Sequence, residues 1–113
     1  MSDEIKSDAA ILSTVQAQAA AGTLRVTLHA AAEMTEESIA LDDVLEAIAA
    51  PDAAVVENYP GHRRGACCLV GGTTRGARPL HVVCTSTQPV LIIITVYEPK
   101  PPKWITPTQR SSR

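Results

Sequence analysis

Phenylalanine is absent from the 113 residues, and Trp104, Tyr59 and Tyr97 are the only aromatics. A core must therefore come from Ala, Val, Leu and Ile, which an apolar share of 45% supplies for one domain but not for two. Cysteine is scarce too. Cys67, Cys68 and Cys84 are an odd number without CxxC spacing, which argues against a disulfide framework or a thiolate metal site. Cys67 and Cys68 are neighbours, so on a strand they face opposite sides. No apolar run reaches the roughly 18 residues of a membrane span, and the longest, residues 90–94, reads as a buried strand. The opening Met1-Ser-Asp-Glu-Ile-Lys6 lacks the basic region and apolar block of a signal peptide, so the expected location is a prokaryotic cytoplasm. Cations are nearly missing from residues 1–60, where Lys6 and Arg25 stand against eleven carboxylates and leave −9. Residues 61–113 reverse this: eight Lys or Arg against Glu98 alone give +7. The net charge of −2 hides that split, which implies self-complementary packing or a basic working face.

What is present reads as helices first and strands afterwards. Ser7 can cap a helix whose apolar positions Ile11, Leu12, Val15 and Ala19 share a face, stopped by Gly22. Its alanines give few packing anchors, so loose docking is expected. Residues 24–28 form a short strand or an extended lead-in. Thr27 is the N-cap expected for a second helix over residues 28–37. A third, over residues 41–50, sets Leu41, Val44, Leu45 and Ile48 at i, i+3, i+4, i+7. Asp42 and Asp43 lie in its first turn, where the helix dipole favours anions, and Pro51 closes it. The period then changes to two. Strands are expected at residues 54–59, 66–71, 79–85 and 90–97, with a glycine-rich hairpin loop over residues 71–76. The last strand is β-branched almost throughout and is expected at the sheet centre. Short loops between consecutive strands imply an antiparallel meander. The expected fold class is α+β, with two or three N-terminal helices packed on a four-stranded antiparallel sheet. Residues 1–23 are a helical extension, 24–98 the single α+β domain, and 99–113 an extended Pro/basic tail that Trp104 pins at its start.

Metal chemistry has little support, because His29, His62 and His81 show neither HExxH nor Cys/His ligand spacing, and no cofactor motif is present. The basic residues say more. Arg63 and Arg64 precede the second strand and Arg75 and Arg78 follow it, while His81 lies on the third and Tyr97-Glu98 end the fourth. Such a set suits metal-independent cleavage of an RNA phosphodiester. Arginine holds the phosphate and its growing charge, His or Glu takes the 2′-hydroxyl proton, and a second acid protonates the leaving oxygen. Tyr97 would stack on a base or donate a proton. Strict alternation puts Glu98 on the opposite face from Tyr97, and Tyr97 with Leu91 and Ile93, so convergence requires a bend in the strand. His29, near the start of the second helix, reads equally as a base or as a cap of the strand–helix junction.

The segments Val26-Thr-Leu-His29-Ala, Leu41-Asp-Asp-Val-Leu-Glu-Ala-Ile48, Glu57-Asn-Tyr-Pro60, Arg78-Pro-Leu-His-Val-Val83 and Ile94-Thr-Val-Tyr-Glu-Pro99 together resemble the domain-of-unknown-function 4258 family, over roughly residues 24–104. In layout that family is similar to the BrnT-type and RelE-type toxins, which cleave RNA and pair with antitoxin proteins. The resemblance implies an endoribonuclease with His29, Arg78, His81, Tyr97 and Glu98 as catalytic residues, RNA held by Arg63, Arg64 and Arg75, and an antitoxin partner. Four positions depart from the family pattern. Where a basic H-A-R-x-R-M is usual, this chain has His29-Ala-Ala-Ala-Glu33-Met34. Ser38 stands where a glycine is usual, and Ala40 replaces a Ser or Thr helix cap, at a cost of about 1 kcal/mol.

Two functions of different class follow. One is the toxin-like ribonuclease. The other is a non-catalytic module that docks an acidic protein or a nucleic acid through the basic sheet loops and tail. Because both faces of the last strand are apolar, its second face is expected to meet the first helix, the tail or a second subunit in a homodimer.

Overall fold

A computed structural model describes residues 7–62, 65–101 and 104–110, apart from the side chains of Ile105 and Arg110. Helix α1 (Asp8–Ala20) begins where the Ser7 hydroxyl accepts the Ala10 N–H. Strand β1 (Leu24–Val26) follows, then α2 (Leu28–Glu36) and α3 (Leu41–Ala49). Strands β2 (Ala54–Tyr59), β3 (Cys67–Thr73), β4 (Pro79–Thr85) and β5 (Leu91–Tyr97) form the expected antiparallel meander. Strands β6 (Trp104–Thr106) and β7 (Gln109–Arg110) close a small hairpin. No helix among the described residues is long and apolar enough to cross a membrane.

The sheet is five-stranded and mixed, not four-stranded and antiparallel. Its order is β1-β5-β4-β3-β2, with β1 parallel to β5 through the pairs Leu24↔Leu91 and Val26↔Ile93. Of the two alternatives for residues 24–28 the short strand holds, over Leu24–Val26, but three residues do not disclose which strand they pair with. The central strand is β4, not β5. Ile11, Val15, Val44, Ile48, Val70, Val82, Leu91 and Ile93 form the core between the helices and one sheet face. Helix α1 is not loosely docked. It buries Ile11, Val15 and Ala19, and two side-chain amides fasten it: Gln16 Nε2 donates to the Ile48 carbonyl at 2.9 Å and Gln18 Nε2 to the Gln88 carbonyl at 2.7 Å. Gly71 and Gly72 belong to β3 and not to the hairpin loop. A Cβ on Gly72 would lie 1.9 Å from the Ala47 carbonyl oxygen, so α3 packs with its backbone on β3. Beside the end of β3, Asp52 accepts the Thr73 hydroxyl at 2.6 Å and its N–H at 3.0 Å, and these bonds hold the carboxyl below its usual range.

Strand β5 has two different neighbours along one edge. Its first half pairs with β1, and Thr27 ends that pairing by donating its N–H to the Ile93 carbonyl at 3.0 Å. There the Thr27 hydroxyl accepts the Ala30 N–H, capping α2, and donates to the Ile94 carbonyl at 3.0 Å. Along the second half, α2 replaces a strand. Glu33 accepts the Val96 N–H at 2.9 Å and the Thr95 hydroxyl, and Glu37 accepts the Glu98 N–H at 3.0 Å. The spacing matches: four helical residues rise about 6 Å, and two strand residues about 6.6 Å. Ile94 is the extra residue of a bulge, since Val83 pairs with Thr95 and Cys84 with Ile93.

Helix α2 ends in a Schellman arrangement. The Ile39 N–H donates to the Met34 carbonyl at 2.7 Å, the Ser38 N–H to the Thr35 carbonyl at 3.3 Å, and Ser38 sits at φ +57°. That conformation is why a glycine suits the position. At Ala40 the Asp43 carboxylate accepts the N-cap N–H at 2.9 Å, but no side chain caps the start of α3 in return. Ser38→Gly and Ala40→Ser are each expected to raise stability by about 1 kcal/mol in urea unfolding. Gly72→Ala is expected to cost about 3 kcal/mol or prevent folding, because the Ala47 backbone has no room to retreat; a loss within 0.5 kcal/mol, on the order of a surface substitution, would contradict the close packing.

Candidate functional site

The five residues proposed for catalysis fall into separate groups. Arg78, between the hairpin turn and β4, is engaged along its whole fork. Nε donates to Glu98 at 2.8 Å, Nη1 to the Ser38 carbonyl at 3.1 Å and Nη2 to the Glu37 carbonyl at 2.6 Å. The guanidinium thus satisfies carbonyls left open at the end of α2, where the helix dipole favours a cation. Glu98 in turn joins the strap between β5 and α2. His29 is exposed, and its contact is Glu33 one turn along the same helix, Nε2 to Oε2 3.4 Å.

His81 and Tyr97 do come together. The bulge at Ile94 shifts the alternation of β5, placing Thr95 and Tyr97 on the face opposite Leu91 and Ile93. Tyr97 pairs in register with His81, and its hydroxyl lies 3.2 Å from His81 Nδ1. The Pro107 carbonyl can only accept, so His81 Nε2 carries a proton and donates it there. In the neutral ring Nδ1 then accepts from Tyr97. Trp104 stacks edge-on against the imidazole with ring centroids 4.4 Å apart. Gly71 lies opposite His81 in register, and a Cβ there would meet the Val56 side chain at 3.0 Å and touch the ring at 3.4 Å. His81 is fully buried and Trp104 only 2% exposed. Residues 104–110 are therefore a hairpin laid over the His81 side of the open sheet face, where an extended tail was expected.

The other half of that face is a groove of about 670 Å³. Val83, Ile92 and Ile94 give it apolar walls, with Cys67 and Thr85 also lining it. Thr27 stands at one end, and Tyr59, His62 and Gly65 at another. Burial and the neighbouring Cys68 push the Cys67 thiol up, which keeps it a neutral lining group. Cys68 and Cys84 pair in register on the core face, and the hydrogen bond between them, with burial, pushes the Cys84 thiol well up. All three cysteines are free. Arg63 and Arg64 lie outside the described residues. Arg75 is at the hairpin turn, where its N–H donates to Glu46 at 3.1 Å and its guanidinium stands 3.9 Å from the same carboxylate. Among the described residues, no three His, Cys, Asp or Glu gather to hold a metal. Periodicity missed the groove, because the bulge and the coverage by residues 104–110 determine which apolar positions stay open.

Residues 26–98 match the family described as Domain of unknown function (DUF4258). No curated protein and no solved structure matches the chain.

The Arg78 fork makes a prediction of its own. Arg78→Ala removes three charge-assisted bonds and strands Glu98, so urea unfolding should show a loss of about 2–3 kcal/mol, tempered by partial solvent exposure. Arg78→Lys should recover little of it, because an ammonium cannot reproduce the planar fork.

Proposed function

The chain belongs to the DUF4258 family, and from that premise we propose that it is a protein-binding module whose open sheet face receives an acidic segment carrying an apolar side chain. The observation that carries this reading is the groove itself. It is the large concave surface left open beside the hairpin, and its walls are apolar. His62 stands at its rim and begins the basic sequence His62-Arg63-Arg64. Apolar walls beside a residue that opens a basic sequence favour an apolar anchor flanked by carboxylates.

The residues expected for RNA cleavage support the same conclusion. Arg78 and Glu98 are committed to the strap at the end of α2, and His81 is buried with both ring nitrogens engaged. A ribonuclease of the BrnT or RelE kind needs its phosphate-binding arginine and its base open to the substrate.

The test is a titration of isotope-labelled protein, followed by NMR, with two probes. An acidic peptide bearing one leucine is expected to shift the amides of Tyr59, Cys67, Val83 and Ile92, less strongly as salt is raised. A single-stranded RNA oligonucleotide is expected to stay intact. RNA cleavage that His81→Ala abolishes would replace this reading with the nuclease one.

A further inference from the structure

Leu28 is 90% exposed, far beyond any other large apolar side chain among the described residues; Leu41 follows at 40%. Its position does not explain that. As the first residue of α2 it follows the Thr27 cap, and many polar residues would serve there. What distinguishes the place is its neighbour: Thr27 lines the open-face groove. An apolar knob and an apolar hole therefore belong to one surface patch.

We infer that the groove is filled by the start of α2 from a second copy of this chain, with Leu28 seated against Val83, Ile92 and Ile94 of the other copy. The inference rests on the groove being the binding surface, and it names the occupant. A patch carrying both knob and hole is self-complementary about a two-fold axis. Each Leu28 enters the other copy's groove, and the assembly closes at two. Charge complementarity selects the same occupant. After Leu28, α2 carries Glu33, Glu36 and Glu37, and Glu36 is exposed while the other two hold β5. At the rim of the groove, His62 begins the His62-Arg63-Arg64 sequence. Two-fold packing sets the acidic helix of one copy against the groove of the other, whose rim residue His62 opens that basic sequence, and does so twice. An unrelated acidic partner would fill the groove and leave Leu28 in water, whereas a second copy covers both.

Sedimentation equilibrium of the full chain tests this. Wild type is expected to dimerise. Leu28→Glu should keep its fold, since the residue is exposed and a carboxylate suits a first helical turn. Its dimer should weaken about 100-fold or more, because each dimer loses two buried leucines. Ile94→Glu, or Val83→Glu should the first not fold, blocks the groove and should weaken the dimer likewise. Mixed together, the knobless and groove-blocked chains retain one knob and one groove, so a weaker heterodimer should form that neither variant makes alone. A wild-type monomer at every concentration, a Leu28→Glu dimer of undiminished strength, or a mixture without heterodimer would each overturn the inference. The Leu28→Glu monomer also separates the two readings, because its groove is free. If the acidic peptide binds it while wild type stays monomeric, the groove reading survives and the second-copy inference does not. If neither peptide binding nor dimerisation is seen, both fall.

Discussion

The edge of β5 is the constraint on which most of this fold depends. A strand seven residues long meets a partner strand only three residues long, so its outer backbone groups beyond Ile93 need other partners. Helix α2 supplies them with carboxylates. Glu33 and Glu37 stand one helical turn apart and accept the N–H groups of Val96 and Glu98, which are two residues apart and point the same way. The bulge at Ile94 lies where strand pairing gives way to helix pairing, and Thr27 holds the junction from both its backbone and its side chain. Sheet edge, helix start and bulge are therefore one device, and α2 could not move off β5 without exposing several hydrogen-bonding groups at once.

That device changes the meaning of the charges. The carboxylates at the end of α2 make it a poor surface for RNA when only their sign is considered. In the fold, two of the three are sheet ligands, and Glu36 alone remains free to act on a partner from the surface. Arg78 is the counterpart. It meets the end of the same helix with a guanidinium where two carbonyls and Glu98 converge. A cation at a helix C-terminus and a carboxylate opposite it satisfy each other, so the arginine best placed in the sequence to hold a phosphate is used to hold the chain.

Much of the fold was legible in the sequence because it is written in local chemistry. Ser7 and Thr27 cap helices by side-chain bonds that reach only three residues, and β2 and β4 begin and end at turn residues or prolines. The parts that were not legible depend on distant partners. The pairing of β1 with β5 spans most of the chain, and the brief alternation of Leu24-Arg25-Val26 cannot name so distant a partner. The alternation reading of β5 put Tyr97 with Leu91 and Ile93, but one extra residue at Ile94 reverses every face beyond it. Gly71-Gly72 has the composition of a turn, yet each glycine answers a crowded neighbour, the Val56 side chain on one face and the Ala47 carbonyl on the other. Of the candidate site, the meeting of His81 with Tyr97 was anticipated only if the strand bent, and the bulge is that bend. The tail was one of three expected covers for that face, with Trp104 as its pin, but its folding into a hairpin was not anticipated, because a proline-rich basic stretch carries no strand period.

The open sheet face is divided by the scarcity of aromatics noted at the outset. A chain without phenylalanine has few side chains wide enough to cover a sheet from a short hairpin, and Trp104 is the one that does so here. It meets His81 edge-on, as Tyr97 does with ring centroids 5.3 Å apart, so three rings close that half of the face. Where the rings end, the coverage ends. Val83, Ile92 and Ile94 are flat, β-branched and too small to shield one another, and no further element among the described residues lies over them. The apolar surface left over lies beside the start of α2, where Leu28 projects into solvent. A surface with both a wall and an unplaced leucine is incomplete in a single chain, and the least additional structure that completes it is the same surface again, turned about a two-fold axis.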